Sequence, residues 1–375
     1  MLSRFLKNSW MILSLIFLVS CGGGQSDTPN DTTADNTPTQ KAIQSMSIDS
    51  GPLHVCAVLL DQTVSCWGNN EYGQLGNGSF SQGPAYEWEE TPTKVKDVNN
   101  VIQVSTGGIR FTCVLHADKT VSCWGYVPKS PLYEAFDPKN YTPLTKIPGL
   151  ANVSRINVGL EGACAILEDK TVSCWEAFNT PPTPIKNLSN VKQISMGDIY
   201  GIKSNCALLE DGTVHCWRSY LDQPKKVENL SDVNQISSNY GEFACALLNN
   251  GSIKCWGDNL TGRLGNGSVD FADFLTPVAV QDIAEATQVD IGGIHACALL
   301  KDKTVKCWGS NEYGQLGDPN IGIEENRRFF SPEPVVVPNL KNVKEISAGF
   351  WHTCALLADN KVQCWGFGTN HTVAF

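Results

Sequence analysis

The chain has 375 residues, of which 42% are apolar and 18% charged, below the roughly 25% charged residues usual in globular proteins. This composition sustains a packed core and excludes wholesale disorder, while the length suggests two or three domains unless internal repeats overturn that expectation. With 38 acidic against 28 basic residues the net charge is −10, without the basic excess of a nucleic-acid binder, so no nucleic-acid partner is expected.

The first segment reads as an address. Arg4 and Lys7 precede an apolar run from Met11 to Val19. That run is short of the about 20 apolar residues that a membrane-spanning helix needs. It closes on Leu18-Val19-Ser20-Cys21, which resembles the lipobox of bacterial lipoproteins. The resemblance implies a signal peptide over 1–20 and lipidation of Cys21. An ordinary secretory signal with a chance cysteine is the alternative. Residues 22–42 lack aromatic and large aliphatic side chains, so 21–42 reads as the lipidated Cys21 with a disordered tether. Gly22 after that cysteine resembles outer-membrane sorting. The implied location is the bacterial cell envelope, periplasmic or surface-exposed, with the membrane met through the lipid anchor.

The chain has 15 cysteines, and the 14 after Cys21 fall into seven pairs, each with nine residues between. They are Cys56 with Cys66, Cys113 with Cys123, Cys164 with Cys174, Cys206 with Cys216, Cys245 with Cys255, Cys297 with Cys307, and Cys354 with Cys364. The first cysteines of successive pairs are 39 to 57 residues apart, a spacing that marks a repeat array and often a propeller. The unit reads C-A-L-L-x-D-x-T-V-x-C-W. Two apolar runs flank a short polar segment built on Asp61, Asp118, Asp169, Asp211, Asn250, Asp302 or Asp359, which is a β-hairpin signal.

A three-residue loop ending in a left-handed residue at Gly212, Gly251, Asn360 and their equivalents fixes the register. The two cysteines then form a non-hydrogen-bonded pair with Cα atoms roughly 4.5 Å apart, at the short edge of the disulfide range. Seven cross-strand bridges are therefore expected. Unbridged cysteines acting as small buried apolar residues are the competing reading. Zinc demands four converging ligands, which hairpin pairs in separate units do not offer, so no metal is expected.

A β-like stretch precedes each pair, at Val104-Ser105, Ile156-Asn157, Ile194-Ser195, Ile236-Ser237, Val289-Asp290 and Ile346-Ser347, with Met46-Ser47 as the first equivalent. A Gly-rich turn follows three of the pairs, at 67–76, 256–265 and 308–317, in the form W-G-x-N-x-x-G-x-L-G. This turn, joined to the H-x-C-A-L-L hairpin, resembles the regulator of chromosome condensation repeat family. The resemblance covers 43–375 and implies an all-β fold, a seven-bladed β-propeller with four-stranded antiparallel blades. The third and fourth units depart from the pattern by lacking the turn. Residues 43–48 and the tail Thr372 to Phe375 are expected to complete one blade from both chain ends.

No catalytic constellation, phosphate-cradling loop or cofactor motif stands out, so neither an enzyme nor a cofactor is expected. His54, His295 and His352 share one repeat position and read as histidines bonded to local backbone, with a metal or catalytic role as the alternative. The repeat tryptophans, next to the second cysteines, read as blade-packing framework. Partner-binding candidates lie in three insertions: Tyr86 and Trp88 in 79–91, Tyr133 and Phe136 in 126–141, and Arg327, Arg328, Phe329 and Phe330 in 318–332. Trp351 joins them, because aromatic residues and Arg dominate interface anchors and loops carry function. The functional expectation is a lipid-anchored, non-catalytic propeller that binds an envelope or extracellular protein or surface partner. The alternatives are a secreted-type inhibitor of a β-lactamase or other hydrolase, and an enzyme with a site at the propeller axis.

Overall fold

Each unit folds into an antiparallel sheet whose second strand is buried along almost its whole length, on both faces, between neighbouring blades, and the sheets close into a ring. In the computed structural model the described residues are 45–80, 88–126, 141–160, 162–176, 178, 181–199, 202–203, 205–217, 223–238, 243–321 and 329–368. Residues 1–20, read from the sequence as a signal peptide, and 21–42, read as the lipidated Cys21 with its tether, lie outside them. The architecture is an all-β propeller of seven blades.

Blade 1 comprises strands Ser45–Ser50, His54–Leu59, Val64–Asn69 and Trp88–Lys94. Blade 2 comprises Val101–Ser105, Phe111–His116, Val121–Tyr126 and Tyr141–Lys146. Blades 3 to 6 repeat this four-stranded order, beginning with Val153–Val158, Val191–Ser195, Val233–Ser238 and Ala286–Ile291. Blade 7 shows Val343–Ala348, His352–Leu357 and Val362–Gly366 among the described residues. The first strand of each blade packs against the first strands of its two neighbours, blade 7 against blade 1 included.

Ser45–Ser50 is the first strand of blade 1, whose four strands all come from 45–94, so that blade is complete without the tail. The tail Thr372 to Phe375 lies outside the described residues. The register also moves the first repeat equivalence from Met46-Ser47 to Ile48-Asp49. Asp49 stands opposite Cys56 as Ser105 stands opposite Cys113 and Asn157 opposite Cys164.

In every hairpin the two cysteines stand directly opposite one another and are bonded. Cys56 is bridged to Cys66, Cys113 to Cys123, Cys164 to Cys174 and Cys206 to Cys216. Cys245 is bridged to Cys255, Cys297 to Cys307 and Cys354 to Cys364. Their Cα atoms are 4.0–4.1 Å apart, closer than the roughly 4.5 Å expected of an unbridged non-hydrogen-bonded pair. Gln62, Lys119, Lys170, Gly212, Gly251, Lys303 and Asn360 take the left-handed conformation at the loop end. The preceding acidic residue makes this tolerable for non-glycine residues. Asp61 Oδ1 accepts from the Thr63 N–H at 3.0 Å and from its hydroxyl at 2.6 Å, and the arrangement recurs at Asp118, Asp169, Asp211 and Asp302. The same bonds hold these carboxyls below the usual Asp range.

The core is divided into seven layers, one per seam between blades. Neighbouring residues on a strand point to opposite faces. Cys66 therefore faces blade 2 while Trp67 faces blade 7, so each Cys-Trp pair contributes to both layers. The Gly-rich turn completes three of these contacts. The indole nitrogens of Trp124, Trp308 and Trp365 each donate, at 2.9 Å, to the carbonyl of Gln74, Arg263 and Gln315 in the preceding blade's turn. The turn's last glycine has no choice of residue. Gly76 has φ +65, and a Cβ there would stand 2.5 Å from the Trp124 indole nitrogen. Trp175 and Trp217, which face blades without the turn, have buried indole nitrogens with no hydrogen-bond partner among the described residues.

Candidate partner-binding face

Strand order sorts the loops. Within a blade the second and third strands join through the tight hairpin at one end. The first-to-second and third-to-fourth connections emerge at the other. All three insertions are third-to-fourth connections, and Phe350 and Trp351 lie in a first-to-second one. The described residues that flank these insertions, and Phe350 with Trp351, therefore share one face of the propeller.

On that face the Gly-rich turn of one blade reaches the next. Tyr72 of blade 1 meets Arg110 and Tyr126 of blade 2. The Arg110 guanidinium lies 4.9 Å from the Tyr72 ring centroid and 5.5 Å from that of Tyr126, in a cation–π arrangement. Five blades on, Trp351 takes the place of Arg110 and Phe367 that of Tyr126. Tyr313 stands 5.5 Å from Trp351 and 5.1 Å from Phe367, centroid to centroid. Trp351 contacts Phe367 at 5.4 Å and Phe350 at 4.8 Å. Trp88, from the outer strand of blade 1, reaches Phe367 at 5.6 Å. A continuous aromatic patch thus crosses from blade 6 through blade 7 to blade 1. Tyr313 is 40% exposed and Phe329, on the same face, 45%.

The structure brings Trp88 and Trp351 into one cluster and leaves Phe329 at the surface nearby on its own connection. Phe330 is a half-buried member of the outer strand of blade 6, opposite Ser310. Tyr86, Tyr133, Phe136, Arg327 and Arg328 lie outside the described residues. Sequence reasoning missed Tyr72, Tyr313, Phe350 and Phe367. The usable signal was the Asn-Glu-Tyr-Gly of the first and sixth turns, where the fifth has Asn-Leu-Thr-Gly.

The axis holds the buried titratable groups, and their polar atoms are engaged in joining blades. The residue opposite each first cysteine accepts a backbone N–H from the next blade. Thr106 N donates to Asp49, Val158 N to Ser105 at 3.0 Å, and Met196 N to Asn157 at 2.7 Å. Ser238 N donates to Ser195 at 2.7 Å, Ile291 N to Ser237 at 3.2 Å, and Ala348 N to Asp290 at 2.8 Å. Ser50 N closes the circle on Ser347 at 2.8 Å. Glycine accompanies this ring because the inner loops touch. A Cβ on Gly51 or Gly107 would collide with the carbonyl oxygen of Thr106 or Val158.

The three histidines are buried beside the neighbouring blade, and two of them bond to it rather than to local backbone. His54 Nε2 and His295 Nε2 each lie 2.8 Å from the hydroxyls of Thr112 and Thr353. Those hydroxyls donate onward to the Gln74 and Gln315 carbonyls, so the ring nitrogens are the donors. Burial pushes the His54 and His295 pKa values down to about 3, with His352 adding like-charge repulsion, and burial alone pushes His352 down to about 4. Each must stay neutral in the fold while the unfolded chain protonates near 6.5. Their contribution to stability is full above about pH 6.5 and is lost as pH falls toward 3. The double substitution His54→Phe with His295→Phe, which copies the residues of blades 2 and 5, is expected to flatten the loss of stability between pH 6.5 and 4. Urea unfolding midpoints across that range measure it, and an unchanged slope contradicts it. No three His, Cys, Asp or Glu side chains form a metal-binding group among the described residues.

Models of the Regulator of chromosome condensation (RCC1) repeat match at residues 47–74, 233–263, 286–315 and 343–374, and at 63–115 and 304–356. The chain belongs to this repeat family. The ultraviolet-B receptor UVR8 of Arabidopsis thaliana is 25% identical over 363 residues, covering 86% of this chain and 77% of the receptor. Among solved structures, Prp20p of Saccharomyces cerevisiae superposes with a TM-score of 0.68 at 18% identity, covering 85% of this chain and 81% of Prp20p. Human WBSCR16 gives 0.64 at 19% identity, covering 84% and 87%. Those two structures share the RCC1-repeat fold. Other curated relatives match shorter stretches, and the chain spans between 2% and 17% of their length.

The relatives overturn the bacterial lipoprotein reading. UVR8, Prp20p and WBSCR16 are proteins of a plant, a yeast and human, all eukaryotes, and Prp20p is described with binding to Gsp1p and histones. The lipid-anchored function, the outer-membrane and envelope location, and the envelope or extracellular partner are corrected accordingly. All rested on the first 22 residues, with Arg4 and Lys7, the apolar run, Leu18 to Cys21 and Gly22, a pattern too short to outweigh a match that spans most of the chain. The hydrolase-inhibitor alternative goes with them. An enzyme at the axis has no support there, since the axial side chains serve blade-to-blade contacts.

Proposed function

We propose that this RCC1-repeat chain is a non-catalytic propeller that binds a protein partner on the face carrying the long third-to-fourth connections. The patch formed by Tyr313, Trp351, Phe367 and Trp88 is the anchor. The observation that carries this reading is the patch itself, which joins three blades on the loop-bearing face. Large aromatic side chains dominate the energetics of protein interfaces. The binding of Prp20p to Gsp1p and histones supports a protein as the ligand class.

The test uses a partner purified on the full chain. The double substitution Trp88→Ala with Trp351→Ala is expected to weaken its affinity at least about tenfold, as hot-spot truncations do. A control substitution on the opposite face, Lys119→Ala, is expected to leave affinity unchanged. Retained affinity in the double variant, with the circular dichroism of the native sheet, contradicts the proposed face.

A further inference from the structure

A second set of axial contacts runs beside the ring of N–H bonds, and it is built on glutamine. Gln103 accepts from Ile156 N at 3.0 Å and donates to Ile156 O at 2.8 Å. Gln193 treats Ile236 in the same way at 3.0 and 2.7 Å, and Gln235 treats Val289 at 3.0 and 3.0 Å. Gln288 does so with Ile346 at 2.9 and 2.7 Å. Each carboxamide reads both polar groups of one residue on the next blade, its oxygen taking the N–H and its nitrogen serving the carbonyl.

At the seam between blades 7 and 1 the same strand position holds Glu345, next to Ile346 as Gln103 is next to Val104. Its carboxyl accepts a backbone hydrogen bond from Ile48. Glu345 shares the glutamines' register, and in each of those blades the second side-chain polar atom serves the carbonyl of the residue whose N–H the first one meets. An ionised carboxylate has no donor for that carbonyl, whereas a carboxylic acid has one donor and one acceptor, as an amide does.

We propose that Glu345 is a proton-binding site of the closed ring. Its carboxyl O–H donates to the Ile48 carbonyl, so that the seam joining the first and last blades is matched only while the proton is held.

The surrounding groups favour this location for the proton. The first strand of blade 1 brings Asp49, which faces the N–H and hydroxyl of Thr106. The first strand of blade 6 brings Asp290, which faces Ala348 N and the Ser237 hydroxyl, both at 2.8 Å. Both carboxyls meet donors, which suits the ionised form, although burial raises them. The second strands of blades 6 and 7 bring His295 and His352, held neutral by burial. Lys344 on the same strand is the cation that acts against protonation. Burial, followed by the repulsion of Asp49, pushes the Glu345 pKa up to about 7 from 4.5. A raised carboxyl pKa means that the stabilisation is full below about pH 4.5 and is lost as pH rises through about 7.

Glu345→Gln tests the proposal, because glutamine already fills this position in four blades. Urea unfolding of the full wild-type and variant chains is compared from pH 5 to 8.5, so that the histidine contributions cancel in the difference. The variant is expected to match wild type near pH 5 and to gain on the order of a hundredfold in folding equilibrium constant by pH 8. The side-chain carboxyl carbon of Glu345, followed by NMR in wild type, is expected to titrate near pH 7. A difference that does not change with pH, a carboxyl that titrates near 4.5, or a slope removed by Asp290→Asn but not by Glu345→Gln each overturns the proposal.

Discussion

Trp308→Ala is expected to destabilise the propeller by about 3–5 kcal/mol, the range for truncating a large aromatic in a packed core. Trp308 is fully buried in the layer between blades 5 and 6, and its indole nitrogen donates to the Arg263 carbonyl at 2.9 Å. Gly265 lies so close that a Cβ there would stand 2.8 Å from the same nitrogen. The neighbouring turn therefore cannot collapse into the space without losing its left-handed glycine geometry. The sharper comparison uses phenylalanine. Trp308→Phe removes the donor from a buried carbonyl and is expected to cost about 1–3 kcal/mol beyond the lost volume. Trp217→Phe removes an indole nitrogen that has no hydrogen-bond partner among the described residues, and is expected to cost only the lost volume. Urea unfolding of the two variants measures the difference. Equal costs at the two positions would show that the Gly-rich turn does not stabilise the following blade.

Reduction of the seven disulfides is expected to abolish the cooperative fold. Each bridge joins residues ten apart in sequence. Closing a loop of that size constrains the unfolded chain by about 2–3 kcal/mol in the entropy model. Seven such terms are as large as the roughly 5–15 kcal/mol by which a domain is usually stable. The sulfurs also lie in the inter-blade layers, where Cys123, Cys174, Cys255 and Cys307 are packed among the apolar side chains of the seams. A reduced pair therefore changes packing as well as loop entropy. Alkylation with mass measurement counts free thiols, and circular dichroism follows the sheet. A chain with fourteen alkylated thiols that still unfolds cooperatively at the same urea concentration contradicts the expectation.

The parts of the fold visible in sequence are those whose cause is local. Cysteine spacing, the Asp-x-Thr loop and the Gly-rich turn each depend on residues within one hairpin, and the blade count followed from them. The axis was much less visible. Ser105, Asn157 and Asp290 look unrelated as residue types, and they become one set only because all accept an N–H from the next blade. The same holds for His54 and His295, whose partners Thr112 and Thr353 lie 58 residues further along the chain. The first-strand register slipped by two residues because Met46-Ser47 and Ile48-Asp49 both alternate apolar with polar. Only the seven-residue distance from Asp49 to Cys56, shared by Asn157 and Cys164, separates them.

The candidate face was half legible. Trp88 and Trp351 stood out as departures from the repeat. Tyr313 and Phe367 were hidden inside or beside a motif that reads as framework, and their surface role depends on which blade stands next to them. The address segment misled because a short apolar run ending in cysteine carries little information about the rest of a chain.

Placement of the partner on the loop-bearing face, at the junction of blades 6, 7 and 1, is tested most directly by photocrosslinking. The crosslinking amino acid is introduced at Tyr313, on that face, and separately at Lys303, in the hairpin of the same blade on the opposite face. A discrete protein adduct is expected from position 313 and none from position 303. An adduct from 303 alone, or equal adducts from both positions, would contradict the placement.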